Sequence, residues 1–228
     1  MDSGFQDSRI PGFEDDLLDS IWEAGLILLG ERVREQYGLA TPIFIDLRHR
    51  LYDEVALLEK LGRALHSRIA LLAGENAAQP QQVLGIPDTA TPLALAAAMA
   101  SLCAPPPLLY CQLRKRPAAY PGGVSGLSAF MGTHREDREI TLVDDVMASG
   151  RSKLWAIEQL AKEGIRVTRI LVVVDRQQGG EVILSSRGYP VYSLYTITGM
   201  LEYFVGAGKV MPASAREALD YLRARHFA

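Results

Sequence analysis

Two adjacent carboxylates, Asp144 and Asp145, follow the apolar run ITLV and precede the small-residue segment VMASGRS (146–152). Small residues let successive backbone N–H groups point into one concavity, which can bind an anion. A helix that starts directly afterwards adds further N–H donors and the positive end of its dipole. Carboxylates themselves suit sugar hydroxyls or a hydrated Mg²⁺. The stretch therefore predicts a pentose phosphate site, with hydroxyls on the two acids and the phosphate in the turn.

Other interpretations of this stretch explain less of it. Acid pairs before helices often act only as N-caps, but the complete order of apolar run, two aspartates, small-residue turn and helical segment favours a ligand site. A Walker A loop is excluded because the turn lacks the required glycine spacing and the Gly-Lys-Ser/Thr ending. The segment GGVSG (122–126) is not a dinucleotide fingerprint, since no strand directly precedes it and no helix directly follows it.

A second pair of charged residues, Asp175 and Arg176, ends the apolar run LVVV (171–174). An arginine at the ligand-binding edge of a sheet can hold a carboxylate through two parallel hydrogen bonds. The alternative is a structural ion pair between Arg176 and Asp175 or another acid. The sequence leaves both interpretations open.

Alternating strand and helix patterns must position these charged residues. Short apolar, β-rich runs predict strands at 41–48, 82–87, 107–113, 140–144, 167–174 and 189–197. Helical spacing of apolar residues predicts helices at 17–30, 54–69, 92–103, 152–162 and from Ala213 onward. This alternation is typical of an α/β fold with a mostly parallel sheet. Such sheets bind ligands at the carboxyl ends of their strands, where the acid pair, GIPDTA and DRQQGG should lie.

The remaining segments define the expected domain organisation. Residues 114–138 break every periodicity and are rich in glycine and proline, which predicts a long flexible loop of the kind that forms lids. Residues 1–16 are polar and acidic, which predicts a flexible N-terminal extension. Residues 17–228 are then expected to form a single domain, since about 200 residues suit one substantial core.

Charge and cysteine content narrow the functional classes. With 24 basic and 27 acidic residues the chain has a net charge of −3, which argues against a dedicated nucleic-acid binder. Cys103 and Cys111 fit neither a disulfide framework nor a metal-ligand spacing. There is no secretory signal pattern and no apolar run of the roughly 18 residues needed to cross a bilayer. A cytoplasmic protein with no membrane or nucleic-acid partner is expected.

Six segments together resemble one enzyme family. In chain order, TPIFIDLR, GIPDTATPLA, LRK, VDDVMASGRS, AKEGIRV and VVVDRQQGG resemble orotate phosphoribosyltransferases of the type I class, over about 17–210. The resemblance implies a type I phosphoribosyltransferase-like α/β fold, with a mostly parallel central sheet flanked by helices and a flexible lid loop. It implies transfer of ribose 5-phosphate from phosphoribosyl pyrophosphate (PRPP) to orotate, giving orotidine 5′-phosphate and pyrophosphate in pyrimidine nucleotide biosynthesis.

The resemblance also implies roles for individual residues. Arg114 and Lys115 would contact the pyrophosphate, with Arg114 acting across the interface of a homodimer. Arg176 would bind the orotate carboxylate, and Phe44 and Ala148 would contact the base. Mg²⁺ would be carried by PRPP, with no firm protein ligand. The residues expected to bind PRPP are Asp88, Thr89, Asp144, Asp145, Val146, Met147, Ala148, Ser149, Gly150, Arg151 and Ser152.

Three positions depart from the family pattern. The second lysine of the family's lid is replaced by Ala118, the threonine of the acidic motif by Ala148, and a lysine near the N-terminus by Gln36. Arg116 and Arg34 lie close enough in sequence to substitute for the missing lysines. The departures leave two alternatives to the orotate enzyme: a phosphoribosyltransferase for another base, and a non-catalytic sensor that binds PRPP or a nucleotide.

Overall fold

Eight strands form two sheets in the computed structural model, which describes residues 14–74, 81–103, 107–114 and 130–227. In chain order they are β1 (Ile27–Leu29), β2 (Ile43–Ile45), β3 (Gln82–Gly85), β4 (Leu109–Leu113), β5 (Phe130–Met131), β6 (Ile140–Met147), β7 (Arg169–Asp175) and β8 (Val191–Thr196). Strands β1 and β2 form a small antiparallel sheet. The other six form the central sheet, in the order β5-β4-β3-β6-β7-β8.

The central sheet is parallel except at one edge. Strands β4, β3, β6, β7 and β8 run in the same direction, and β5 pairs antiparallel with β4. All seven residues of β7 are buried, because helices cover both faces of a parallel sheet and leave no solvent side. The predicted α/β fold with a mostly parallel sheet is confirmed.

Helices cover the two faces of this sheet unequally. The described residues contain nine α-helices: α1 (Glu14–Glu23), α2 (Glu31–Tyr37), α3 (Leu47–Arg50), α4 (Val55–Ala73), α5 (Ala90–Ala100), α6 (Arg151–Lys162), α7 (Gly180–Ser185), α8 (Ile197–Gly206) and α9 (Pro212–Arg223). Apolar residues of α1, α4, α5, α8 and α9 join the larger core cluster on one face. Residues of α6 and α7 join a smaller cluster on the other face.

The N-terminal part differs from the sequence-based prediction. The helix predicted at 17–30 ends at Glu23, because Gly25 adopts a positive φ of 67° and the apolar run after it pairs as β1 with β2. The helix also starts earlier than expected. Because α1 begins at Glu14, residues 14–16 are helical although the prediction placed them in the flexible extension.

Two further boundaries were predicted incorrectly. The expected loop at 114–138 contains strand β5 at its far end, too short for any periodicity to indicate; residues 115–129 lie outside the described part of the chain. The strand predicted at 189–197 ends at Thr196, whose hydroxyl accepts a hydrogen bond from the backbone N–H of Gly199 and so caps α8. Among the described residues, no helix has the length and apolar character that a bilayer crossing requires.

Candidate active site

Three loops meet at the carboxyl edge of the central sheet. Strands β3, β6 and β7 are neighbours, so the segments that follow them emerge side by side. Met147 at the end of β6 pairs with Asp175 at the end of β7, which brings the acidic motif and the DRQQGG turn into contact. The carboxyl edge is where parallel α/β sheets bind ligands. The sequence-based placement of these segments at one edge is therefore correct.

The acid pair is buried within strand β6 rather than after it. The strand continues to Met147, so Val146 and Met147 belong to the sheet and the turn starts at Ala148. The side chain of Met147 is fully buried in the smaller apolar cluster. The backbone N–H of Asp145 donates to Asp144 Oδ1 at 3.0 Å, and that of Val146 donates to Asp145 Oδ1 at 2.8 Å. These bonds fix both carboxylates against the strand that carries them.

Burial changes the titration of the second acid. The pKa of Asp145 is raised to about 7, mainly by burial and then by the charge and hydrogen bond of the neighbouring Asp144. The hydrogen bond from Val146 and the charge of Lys153 act in the opposite direction. Two carboxylates in one desolvated place cannot both ionise at the usual pH, which is how one of them becomes a proton carrier near neutrality.

A buried lysine completes the acidic cluster, and sequence reasoning missed it. Lys153 in α6 is only 2% exposed, and its Nζ lies 2.6 Å from Asp144 Oδ2. The signal was available in the spacing, because Lys153 falls on the same helical face as Ala156, Ile157 and Leu160, which are all buried. A charged residue in the middle of an apolar face indicates a buried partner.

The turn after β6 has the backbone geometry of an anion site. Gly150 adopts a positive φ of 75° directly before α6, and no side chain caps the first turn of that helix. Ser152 Oγ donates to Asp144 Oδ2 at 3.2 Å, which ties the helix start to the acid pair. Uncapped N–H groups at a helix start are ready donors for a phosphate.

The DRQQGG turn packs tightly against the 148–150 turn. The backbone N–H of Gly180 donates to the carbonyl of Ala148 at 2.9 Å, and that of Arg176 donates to Met147 at 2.9 Å. A Cβ on Gly180 would lie 2.4 Å from the carbonyl oxygen of Ala148 and 2.9 Å from the nitrogen of Gly150. Glycine at 180 is therefore required by close approach of the two turns.

The loop after β3 forms another wall of the same edge. The chain turns back so sharply that a Cβ on Gly85 would lie 2.0 Å from the carbonyl oxygen of Ala90. Thr89 is buried, whereas Asp88 is exposed and its backbone carbonyl accepts a hydrogen bond from the hydroxyl of Tyr52 at 3.3 Å. This sharp turn presents Asp88 at the same edge as the acid pair.

A cavity of about 360 Å³ lies beside these turns. Arg176 lines it, and the Nε of its guanidinium is buried with no hydrogen-bond partner. Burial lowers the pKa of Arg176. The acid beside it does not pair with it, because Asp175 Oδ1 accepts the backbone N–H of Gln177 at 2.8 Å instead. The residues that line the cavity are Leu39, Ala40, Thr41, Ile43, Phe44, Ile45, Arg176 and Tyr221.

The C-terminal segment holds the DRQQGG turn in place. Gln178 is buried, and its Nε2 donates to the carbonyls of Leu222 at 3.3 Å and Arg225 at 3.0 Å. The backbone N–H of Phe227 donates to the carbonyl of Gln178 at 2.7 Å. Tyr221 reaches the cavity from the same segment, with the guanidinium of Arg225 stacked 3.7 Å from its ring centroid.

The other predicted site residues are only partly accounted for. Arg114 lies at the end of β4, two strands from β6, and its Nε donates to Met131 Sδ at 2.7 Å. Lys115, Arg116 and Ala118 lie outside the described residues. Ala148 does not line the cavity that contains Arg176 and Phe44. No sequence signal indicated Tyr221, which was part of a helix predicted only as amphipathic.

Comparison with known proteins gives related sequences and folds. No protein-family model matches the chain. An orotate phosphoribosyltransferase of Thermococcus gammatolerans is 32% identical over 189 residues, which cover 83% of this chain and 92% of that protein. The crystal structure of orotate phosphoribosyltransferase from Aeropyrum pernix has a TM-score of 0.56 and 25% identity, covering 83% of this chain and 98% of the other. UMP synthase of Leishmania donovani has a TM-score of 0.70 at 23% identity, covering 91% of this chain and 41% of that one, which supports the fold alone.

Proposed function

The chain belongs to the orotate phosphoribosyltransferase family, and from this premise we propose that it transfers ribose 5-phosphate from PRPP to orotate. In this reaction a bond forms between a ring nitrogen of orotate and the anomeric carbon of ribose. The bond from that carbon to the pyrophosphate oxygen breaks, and the products are orotidine 5′-phosphate and pyrophosphate. The protein has to bind a planar anionic base, a ribose and two phosphate groups in one place.

The observation that carries the proposal is the position of Arg176. Its side chain is half-buried, with an Nε that is buried without a hydrogen-bond partner and no ion pair among the described residues. It lines a cavity together with two aromatic rings, Phe44 and Tyr221. A partly buried cation with an unpaired N–H is unfavourable, so a ligand anion at this position would stabilise the site. Orotate offers a carboxylate for a two-point contact with the guanidinium and a flat ring for the aromatic walls.

The acid pair supports the ribose part of the reaction. The transition state has oxocarbenium character, so positive charge develops on the ribose while the pyrophosphate departs. Carboxylates fixed beforehand in a buried place stabilise such charge without having to reorganise. We assign the ribose hydroxyls to Asp144 and Asp145, and the 5-phosphate to the backbone of 148–152. Asp88, Thr89, Arg114 and Lys115 are assigned to the pyrophosphate.

Mg²⁺ fits this site as a companion of PRPP rather than as a resident ion. Among the described residues, no group of three or more His, Cys, Asp or Glu side chains could hold a metal. Asp144 is engaged by Lys153, which disfavours it as a metal ligand. Mg²⁺ keeps water and phosphate oxygens as ligands in many sites, and it would neutralise charge on the pyrophosphate. We propose that it is bound in this way, through PRPP.

We further propose a homodimer and a cytoplasmic location. The outer face of α5 and the turn after it expose Leu95, Met99 and Leu102, an apolar stripe of the kind that subunit interfaces cover. Sedimentation of the purified protein measures the dimer directly. The two cysteines are both unpaired, which supports a reducing compartment.

The test is orotate consumption, followed by absorbance, with PRPP and Mg²⁺. We expect turnover by the wild type and a fall in kcat/KM for orotate of about 10–100-fold in Arg176→Gln, because one charge-assisted contact is lost. Arg187→Gln, an exposed arginine in the turn after α7, is the matched control and should behave as the wild type. Uracil, which lacks the carboxylate, should be a poor substrate that Arg176→Gln does not make poorer.

The same experiment separates the alternatives. Tight PRPP binding without turnover of any base would contradict the enzyme and favour a PRPP-binding sensor. Turnover of a base without a carboxylate, at a rate unaffected by Arg176→Gln, would contradict orotate as the substrate. Replacement of the family's threonine by Ala148 is the feature that would then explain a different base preference.

A further inference from the structure

Lys153 makes contacts that none of the assigned roles explains. Its Nζ lies 2.6 Å from Asp144 Oδ2, donates to the carbonyl of Val146 at 2.5 Å and reaches Ser152 Oγ at 3.4 Å. An ammonium group has three N–H donors, and three acceptors surround it here. The side chain has no contact with the cavity that Arg176 lines. The polar contacts of its Nζ are with the acid pair's strand and the start of α6.

Packing alone does not require a charge at this position. Lys153 shares its helical face with Ala156, Ile157 and Leu160, which pack into the smaller apolar cluster. Burying an ammonium is unfavourable until its partners offset the loss of hydration, and replacing a buried ion pair by apolar residues is often neutral or stabilising. A leucine or methionine would fill this place at less cost. The charge is therefore explained better by what it does to its partner than by stability.

The two carboxylates are held by different sets of contacts. Asp144 Oδ1 accepts the N–H of Asp145, and its Oδ2 accepts bonds from both Lys153 and Ser152. Both oxygens of Asp144 are thus bound by groups of the protein itself. Asp145 Oδ1 accepts one backbone N–H, from Val146, and has no contact with Lys153 within salt-bridge distance.

We propose that Lys153 is a positioning residue, which anchors Asp144 so that the acid pair keeps the geometry that receives the ribose hydroxyls. This inference rests on the proposed function, because it assigns the ribose to the same acid pair. Lys153 touches neither substrate nor reacting atoms. It acts through Asp144, by fixing its rotamer and by offsetting its buried charge.

The charges around Lys153 determine what its loss would do. The carboxylates near it are Asp144 and Asp145 on β6 and Asp175 on β7, and Glu181 on α7 acts on Asp175. Burial raises the pKa of both Asp145 and Asp175, and the charge of Lys153 lowers both. Without Lys153 the acids would repel each other with no buried cation to compensate. Asp145 and Asp175 would then hold protons to higher pH.

The test compares Lys153→Met, Lys153→Arg and the matched control Lys162→Met, an exposed position in the last turn of the same helix. We expect Lys153→Met to lower kcat/KM for PRPP by about 10–100-fold through misplacement of the acid pair. The acid limb of its pH profile should move up by about one pH unit. Lys153→Arg keeps the charge and should keep the pH profile of the wild type. Lys162→Met should change neither quantity.

A double-mutant cycle checks that Lys153 acts through Asp144. In the Asp144→Asn background, Lys153→Met should lower kcat/KM for PRPP much less than it does in the wild type, because the charge of its partner is already gone. An equal fall in kcat/KM in both backgrounds, or an unshifted pH profile in Lys153→Met, would overturn the inference. Thermal unfolding of each variant separates these effects from loss of the fold.

A readout without catalysis keeps this inference separate from the proposed function. If the wild type does not convert orotate, the proposed function fails, and PRPP affinity measured by calorimetry becomes the deciding quantity. Lys153→Met should then bind PRPP more weakly than Lys153→Arg and Lys162→Met. Equal affinities in all three variants would overturn the role of Lys153.

Discussion

At the scale of single residues, Asp145 links stability to pH. Its pKa is about 7 in the folded protein because of burial and the neighbouring Asp144, whereas an aspartate in an unfolded chain titrates at about 3.9. Between these two pH values the folded protein holds a proton that the unfolded chain has released. The free energy of unfolding therefore falls as the pH rises through this window. The protein keeps an acid that weakens its fold at neutral pH, as is common for functional residues.

Asp145→Asn should separate these two effects. We expect turnover to fall by about 10²–10³-fold, because one fixed charge beside the ribose is lost. The variant should also be more stable than the wild type at pH 8, by about 1–3 kcal/mol, and this gain should vanish near pH 4. Denaturant unfolding at both pH values measures the difference. Glu158→Gln, an exposed acid on α6, is the control, and a gain that did not depend on pH would contradict the role of ionisation.

At the scale of elements, the site depends on two turns that interlock. The turn that starts α6 and the turn that starts α7 are joined by the bond from Gly180 to Ala148, and they leave no room for a side chain at 180. One turn is assigned to the phosphate, and the other carries Arg176. On the proposed assignments, the distance between the phosphate and the base is thus set by backbone contact rather than by flexible side chains.

Gly180→Ala should therefore lower activity, although alanine is normally well tolerated at a helical position. The added Cβ would push the two turns apart, so we expect kcat/KM to fall by about 10²-fold, together with a loss of about 1–3 kcal/mol of unfolding free energy. Gly206→Ala is the matched control, since nothing lies within 4 Å of a Cβ there and its backbone is helical. That control should be neutral or slightly stabilising. Similar behaviour of the two variants would contradict the interlocking of the turns.

Elements also explain what the sequence could and could not predict. The runs ITLV and LVVV are almost wholly apolar because both faces of the sheet are covered, so the strands and the acid pair near the carboxyl end of β6 could be predicted. The contacts that the charged residues make could not be predicted from the sequence. Whether Arg176 faces Asp175 or a cavity depends on where β2 and α9 pack, and both are distant in sequence. To predict the contact of Lys153 with Asp144, one would have to know that its helical face points at the acid pair.

At the scale of the whole molecule, one face of the sheet is closed by segments from both ends of the described chain. Trp22 of α1 packs on Phe204 of α8 with ring centroids 5.0 Å apart, and the Tyr203 hydroxyl donates to Asp19 Oδ1 at 2.8 Å. The same layer includes the β1–β2 sheet, which provides Phe44 to the cavity. The walls of the cavity that contains Arg176 therefore pack on the larger core.

Phe204→Ala tests this dependence. Phe204 is fully buried in the larger cluster, so its removal should lower the free energy of unfolding by about 3–5 kcal/mol. Phe204→Leu keeps most of the volume and should cost clearly less. Denaturant unfolding followed by the fluorescence of Trp22, together with that of Trp155, measures both values. Equal stability of the two variants would contradict tight packing at this position.

The hydrogen bonds between Gln178 and residues 222–227 affect the order in which parts of the protein can fold during synthesis. A nascent chain translated only to residue 210 already contains the acid pair, Lys153 and the 148–152 turn. It still lacks Tyr221 and the carbonyls of Leu222 and Arg225 that hold Gln178. During synthesis the acid pair and the 148–152 turn can therefore fold first. The cavity beside Arg176 is completed later, once residues 221–227 have been translated.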